Sequence, residues 1–187
     1  MNEIKEILDK QKTFFESGKT KSIDFRLKNL KLLYGAIEKY EQDILEALRL
    51  DLNKAGFEAY ATEIGMVFEE INFMLKNMKR LLKVKKVRTP LTQFPSVSKI
   101  YKEPYGNVLI MAPWNYPFLL SMSPLVGAMA AGNCAILKPS NHAPATQAVM
   151  KKIIENTFDP SYITVVEGGR EVNQSLLDNK FDLIFFT

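Results

Sequence analysis

The stretch that decides the fold is residues 106–137, GNVLIMAPWNYPFLLSMSPLVGAMAAGNCAIL, which contains no charged side chain. Two short apolar runs, 108–112 and 135–137, flank a longer apolar segment, 118–131, and prolines and glycines separate the three. A membrane-spanning helix would instead read as one apolar segment of about 20 residues. Short runs between turn residues are typical of strands buried on both faces, so this stretch predicts strand, helix and strand inside a folded domain.

The same alternation continues to the last residue. Patterns at 144–156, 163–166, 172–177 and 183–186 predict a helix, a strand, a helix and a strand, and such alternation is typical of a parallel sheet with helices on its faces. We therefore expect an α/β fold with an incomplete, Rossmann-like parallel sheet over residues 105–187. The sequence stops after an apolar strand, where another helix would normally follow, which predicts a truncated polypeptide.

The first 88 residues predict a helical region. Apolar residues spaced by three and four indicate one helix from Ile4 that ends at Gly18, and a second that begins at Ser22 and runs to residue 52 with a break near Tyr40. A third begins after Gly56, with one apolar face formed by Phe57, Tyr60, Ile64, Val67, Phe68, Ile71, Leu75, Met78 and Leu82. Residues 89–104 predict a linker with an extended strand at 97–102.

Charge and cysteine content exclude several classes of protein. The 25 basic and 21 acidic residues leave a net charge of +4. Six bases within 79–88 suggest a nucleic-acid or lipid patch, but no aromatic residues alternate with them, which favours a solvated helix end. A single cysteine, Cys134, and a single histidine, His142, exclude an internal disulfide and a Cys- or His-based metal cluster. We expect a cytoplasmic protein without nucleic-acid or membrane partners.

Three predicted strands end in residues that could carry chemistry. Ligands of open parallel sheets bind at the carboxyl ends of the strands, and the residues found there are Pro113, Trp114 and Asn115, then Lys138, Pro139 and Ser140, then Gly168 and Gly169. Each has an ordinary alternative: the asparagine as a helix cap, the lysine as a solvated side chain and the glycines as a turn. Neither G-x-G-x-x-G nor a Walker A motif is present.

Several longer motifs resemble the aldehyde dehydrogenase superfamily. They are APWNYPF (112–118), VGAMAAGNCAILKPS (126–140) and FDLIFFT (181–187), with FFESGKTKSIDFRLKNLKLL (14–33), LDLNK (50–54) and EIGMVFEEINFM (63–74) similar to the short, class 3 type. The resemblance implies oxidation of an aldehyde to a carboxylic acid: a cysteine thiolate attacks the carbonyl, hydride passes to NAD or NADP, and a glutamate-activated water releases the acid.

The resemblance also implies roles for individual residues. Asn115 matches the oxyanion-hole asparagine and Lys138 the lysine that binds the adenine-side ribose. The residues that match the walls of the cofactor cleft are Pro113, Trp114, Pro139, Ser140, Gly168 and Gly169. Asn141 stands where class 3 members usually have a glutamate that holds the ribose hydroxyls, so a 2′-phosphate would meet less repulsion, and we expect NADP to be accepted at least as readily as NAD.

The nucleophile, the general base and the catalytic domain of the family are absent from these 187 residues. Cys134 lies in a segment that leads into a buried strand, and His142 is better interpreted as a helix-start residue than as a base. The chain alone is therefore expected to be inactive and to bind NAD or NADP weakly or not at all. An alternative is a naturally short, non-catalytic protein that associates with itself, as a homo-oligomer or through an exposed sheet edge, or with a full-length relative as its partner.

Overall fold

The computed structural model describes residues 2–187 and begins with five helices. These are α1 (Asn2–Glu16), α2 (Ile23–Lys39), α3 (Glu41–Leu52), α4 (Gly56–Ala59) and α5 (Gly65–Leu81). Gly18 takes a left-handed conformation after α1, Ser22 caps α2 by accepting a hydrogen bond from the Phe25 amide, and Tyr40 separates α2 from α3. The predicted ends of these first helices are confirmed.

The third predicted helix begins at Gly56 as expected, but the apolar face predicted for its first turns is wrong. A π-helical turn, Tyr60–Ile64, separates α4 from α5. Because a π turn holds an extra residue, it rotates the preceding residues by about 100° around the helix axis. Phe57 and Tyr60 are consequently 87% and 42% exposed, whereas Glu63 is fully buried in the face where only apolar residues were predicted.

The basic stretch 79–88 is a helix end only in its first part. After α5 ends, β1 (Lys85–Val87) pairs antiparallel with β2 (Ser98–Ile100). The predicted strand at 97–102 is confirmed in shortened form, whereas β1 was missed. All three residues of β1 are exposed, so the strand lacks the alternation of buried apolar and exposed polar residues by which a strand is recognised. Its extended conformation is seen in its pairing with β2, in which Lys85 lies opposite Ile100 and Val87 opposite Ser98.

The predicted parallel sheet is confirmed. It contains β3 (Asn107–Met111), β4 (Cys134–Lys138), β5 (Ile163–Val165) and β6 (Leu183–Phe186) in the order β5-β4-β3-β6, with α6 (Leu119–Ala131), α7 (Pro144–Glu155) and α8 (Arg170–Leu177) as connections. All neighbouring pairs are parallel. Together with the helical region, this is the expected α/β architecture with a Rossmann-like sheet.

Both faces of the central strands are buried, which explains why residues 106–137 carry no charge. Val108 and Ile110 of β3 belong to the large core shared with α2, α3, α5, α6 and α7. Leu109 and Met111 belong to a second core, to which α1 contributes Ile4 and Leu8 and α8 contributes Leu176. Since successive strand residues point to opposite faces, α1 covers the face of the sheet that the other N-terminal helices leave uncovered.

The edge strand β6 differs from the other strands of the sheet. Leu183, Ile184 and Phe185 are 40–44% exposed, and Phe186 is 75% exposed. β6 therefore presents apolar side chains to its surroundings on both faces. Among residues 2–187, no helix is long and apolar enough to cross a membrane.

Candidate functional site

The site loops follow three neighbouring parallel strands. β3, β4 and β5 lie side by side, so their carboxyl ends meet at one edge of the sheet. Hydrogen bonds continue just past the strands, since the Ala112 amide donates to the Lys138 carbonyl at 3.1 Å and the Val166 amide donates to the Leu137 carbonyl at 2.9 Å. The loops 113–117, 139–143 and 167–169 therefore leave the same edge.

The loop after β3 presents an asparagine and the chain's single tryptophan. Trp114 and Asn115 are exposed, whereas the following Phe118 is fully buried. The alternative that Asn115 caps the next helix is wrong. The amides of Phe118 and Leu119, at the start of α6, instead donate to Oε2 of Glu63 at 2.8 and 3.2 Å. This capping by a distant residue leaves the Asn115 side chain in the exposed loop.

Lys138 at the end of β4 is buried, so the alternative of a solvated lysine is wrong. Its side chain is 3% exposed, and Nζ donates to the Pro139 carbonyl oxygen at 2.7 Å. Within residues 2–187, no carboxylate lies within salt-bridge distance of this ammonium. Burial lowers the pKa of Lys138. An ammonium carries three N–H donors, so this buried cation can still bind polar groups of a ligand.

The loops after β4 and β5 touch each other. Ser140 Oγ accepts a hydrogen bond from the His142 amide at 3.2 Å, and the exposed Asn141 lies against Gly169, where an added Cβ would be 3.6 Å from the asparagine Nδ2. Gly168 has a φ of +140°, and a Cβ there would overlap the Val172 side chain. Its glycine is therefore required for the turn into α8 and for close packing.

A polar cluster fixes the end of β5 against α7. Glu167 accepts hydrogen bonds from Gln147 Nε2 at 3.0 Å and from Lys151 Nζ at 2.6 Å. The hydrogen bond and charge of the lysine hold the pKa of the Glu167 carboxyl below its usual range. The turn at 168–169 therefore starts from an anchored position.

Three polar residues of the helical region contribute to the site, and sequence reasoning missed them. Asp51 of α3 accepts hydrogen bonds from the Ala145 and Thr146 amides at the start of α7, at 3.1 and 2.7 Å. Lys54 Nζ lies 2.5 Å from Glu63 Oε1. The motif LDLNK contains two of the three residues, but an acid or base on a helix ordinarily indicates a solvated face, so the pattern alone gave no role to them.

Neither the cysteine nor the histidine has the surroundings of a catalytic group. Cys134 is fully buried, its Sγ donates to the Gln11 carbonyl oxygen at 3.6 Å, and burial raises the pKa of its thiol to about 12. His142 is exposed. No group of three His, Cys, Asp or Glu side chains within residues 2–187 is placed to hold a metal ion.

Comparisons with known proteins agree with the fold and the motifs. The sequence profile of the aldehyde dehydrogenase family matches residues 1–187, the whole chain. The 4,4'-diaponeurosporen-aldehyde dehydrogenase of Staphylococcus aureus is 52% identical over all 187 residues, which cover 41% of that protein. Mouse aldehyde dehydrogenase family 3 member B1 is 41% identical, again over the whole chain and over 40% of that protein.

Solved structures give the same result. The chain superimposes on the substrate-bound state of Staphylococcus aureus AldH with a TM-score of 0.97 and 52% identity, covering 100% of this chain and 41% of that one. The chain thus spans about 40% of the length of the curated relatives described above. On the profile, the sequence motifs and the shared fold together, the chain belongs to the aldehyde dehydrogenase family.

Proposed function

We propose that residues 1–187 form the N-terminal, cofactor-binding part of an NAD- or NADP-dependent aldehyde dehydrogenase that oxidises an aldehyde to a carboxylic acid. The observation that carries this proposal is that the same sheet edge holds an exposed asparagine amide, Asn115, and a buried lysine, Lys138, that has no carboxylate within salt-bridge distance among residues 2–187. The dinucleotide, when bound, supplies the hydride acceptor. The residues of this chain bind and orient the reactants and stabilise the charge that develops on them.

Asn115 supplies a hydrogen bond to the aldehyde oxygen. When a nucleophile adds to the carbonyl carbon, negative charge develops on that oxygen, and an amide N–H aimed at it stabilises the charge. The Asn115 amide is available for this purpose because Glu63, and not Asn115, satisfies the first amides of α6. Removing one such donor typically lowers the rate by about 10²- to 10³-fold.

Lys138 and its neighbours fit the ribose of a dinucleotide. The two N–H groups of Lys138 that do not face Pro139 can donate to sugar hydroxyls, and Asn141 lies beside Gly169, where the backbone is free of a side chain. Pro113, Trp114, Pro139 and Ser140 belong to the same loops, whereas Gly168 serves the packing of α8. Ribose binding also explains why a buried cation is retained despite its cost in stability.

The amide at position 141 favours acceptance of NADP. A glutamate there would repel a 2′-phosphate, whereas Asn141 carries no charge and lies three residues after Lys138 in the same loop. We therefore expect NADP to bind at least as well as NAD. The dissociation constants of the two dinucleotides, measured on the same preparation, test this expectation, and a strong preference for NAD would refute it.

The nucleophile and the general base must come from outside these 187 residues. The one cysteine is buried in β4, and the one histidine is exposed, with no carboxylate within salt-bridge distance among residues 2–187 to orient it as a base. The 187-residue chain alone is therefore expected to be inactive. It would retain contacts to the adenosine side of the dinucleotide only, and its affinity should be low.

The test uses the protein as purified from its source, with its intact mass compared with the 21.3 kDa of this sequence. We expect aldehyde-dependent formation of NAD(P)H from a longer polypeptide. Asn115→Ala should lower kcat by about 10²- to 10³-fold, whereas Asn72→Ala, at an exposed asparagine of α5, serves as the matched control. Catalysis by the 187-residue chain alone, or full activity of Asn115→Ala, would contradict the proposal.

Self-association through β6 is a second candidate function. The observation that favours it is the apolar strand Leu183–Phe186, whose side chains are at least 40% exposed at the edge of the sheet. An exposed apolar edge strand readily pairs with another chain. Sedimentation velocity over a range of concentrations tests this candidate, and a monomer at every concentration would exclude it.

A further inference from the structure

Glu63 is a buried carboxylate that uses both of its oxygens. Oε1 lies 2.5 Å from Lys54 Nζ, and Oε2 accepts hydrogen bonds from the Phe118 and Leu119 amides. Glu63 is fully buried and Lys54 is 9% exposed. A carboxylate without partners at this depth would be strongly destabilising, but this one is both paired and hydrogen-bonded.

The same lysine contacts the site loop directly. Lys54 Nζ lies 4.0 Å from the centroid of the Tyr116 ring, on which the ammonium makes a cation–π contact. The loop 113–117 is consequently held at two points, by Lys54 at the Tyr116 ring and by Glu63 at the backbone amides that follow the loop. Asn115 is the residue immediately before Tyr116.

The arrangement does more than cap a helix. Phe118, which precedes α6, makes no side-chain capping bond, so a carboxylate at this end is favourable for the free amides and for the helix dipole. Asp51, which caps α7, is only half-buried, and no cation among residues 2–187 lies within salt-bridge distance of it, whereas the fully buried Glu63 has Lys54 as its counter-charge. Replacing a buried ion pair by apolar residues is often neutral or stabilising, so stability alone does not account for this pair.

We infer that Glu63 and Lys54 are positioning residues: together they hold the loop 113–117 in the orientation that places the Asn115 amide at the reacting carbonyl. Only the catalytic consequence of this inference rests on the proposed function of Asn115. The positioning itself is a property of this chain and can be measured without any reaction.

The first test compares Glu63→Gln and Lys54→Met with the unaltered 187-residue chain. Glu63→Gln keeps the shape of the side chain and removes its charge. We expect the Phe118 and Leu119 amides to exchange with solvent on the order of tenfold faster. Trp114, the only tryptophan of the chain, reports on the loop itself, and its fluorescence anisotropy should fall in both variants.

Asp51→Asn is the matched control, because Asp51 accepts hydrogen bonds from the Ala145 and Thr146 amides of α7, so its loss weakens the cap of α7 and not that of α6. It should accelerate exchange at Ala145 and Thr146 and leave the Trp114 anisotropy unchanged. If Glu63→Gln and Lys54→Met leave both Trp114 and the amides at 118 and 119 unchanged, the pair does not position the loop. The inference also fails if Asp51→Asn lowers the anisotropy equally, because the effect would then be a general loosening of the fold.

The second test measures the kinetics of the Glu63→Gln variant, made in the polypeptide of the length found in its source. A positioning role predicts a lower kcat with little change in KM, and little further loss when Glu63→Gln is added to Asn115→Ala, because both changes act through one amide. Equal losses in both backgrounds would overturn the inference. Failure of the proposed function would look different. Asn115→Ala would then keep full activity, whereas Glu63→Gln and Lys54→Met would still accelerate amide exchange and lower the Trp114 anisotropy.

Discussion

Lys138→Met is expected to raise the free energy of unfolding of the 187-residue chain while it weakens the binding of NAD(P). The Lys138 side chain is 3% exposed and has one identified acceptor, the Pro139 carbonyl oxygen at 2.7 Å. Methionine has a similar length and leaves no buried charge. Relief of the unsatisfied buried donors contributes about 1–3 kcal/mol, and loss of the single hydrogen bond costs about 1 kcal/mol. We therefore expect a net gain of up to about 2 kcal/mol, or a rise in Tm of up to roughly 8 °C.

The stability difference between Lys138→Met and the unaltered chain depends on pH, because the pKa of Lys138 is lowered in the folded chain. Burial lowers the pKa in the folded chain below the ordinary value of 10.5, so between the two values the unfolded chain binds more protons. The stability of the unaltered chain then rises with pH across this window, because the buried side chain becomes neutral. Methionine does not titrate, so the advantage of Lys138→Met is greatest at neutral pH and shrinks as the pH approaches 10.5.

Urea unfolding followed by circular dichroism, at neutral pH and at several pH values up to 10.5, measures the gain in the free energy of unfolding and its change with pH. Lys99→Met is the matched control, since Lys99 also lies in a strand but is exposed. Its stability should differ little from that of the unaltered chain at any pH. The reasoning is refuted if Lys138→Met is less stable than the unaltered chain at neutral pH, or if its advantage stays constant as the pH rises.

Three other predictions follow from single contacts. Cys134 should resist thiol reagents in the folded chain and react only after denaturant is added, because it is fully buried with a pKa raised to about 12; rapid labelling under native conditions would contradict this. Gly168→Ala should lower the free energy of unfolding by more than about 1 kcal/mol, because of its positive φ and its contact with Val172, whereas Gly169→Ala should be nearly neutral; urea titrations that rank the two variants the other way would show the packing argument to be wrong. Arg26→Met should cost about 2–4 kcal/mol, since this 4% exposed guanidinium donates to three backbone carbonyls, and an unchanged Tm would refute that role.

The parallel sheet could be predicted because its central strands are buried on both faces. Every residue of β3 and β4 is buried, and all are apolar except Asn107 and Lys138, so these short runs bounded by proline and glycine leave few alternatives to a buried strand. β1 could not be predicted in the same way, because its three exposed residues carry no such signal. Likewise, apolar spacing suggested a continuous helix through Tyr60, since a π turn changes the helix face without any characteristic residue type.

The site could be predicted only in part, for a physical reason that differs between residues. Asn115 and Lys138 could be located because they follow recognisable strands, and ligands bind where parallel strands end. The burial of Lys138 could not be predicted, because a lysine at a strand end is ordinarily solvated. Glu63 was missed because its partners, the amides of Phe118 and Leu119, lie 55 and 56 residues away along the chain.

The helical region takes part in the site through the caps of two helices. α6 and α7 each begin directly after a site loop, and each is capped by a carboxylate from the helical region, Glu63 for α6 and Asp51 for α7. A helix needs partners for its first amides, and a polar residue of the preceding loop is the usual source. Because distant carboxylates supply these partners instead, Asn115 and Asn141 stay in the exposed loops, where their amides can meet a ligand. Asp51, Lys54 and Glu63 therefore act on the same loops as the strand ends, and substitutions of these three residues should alter the site loops before they alter the core.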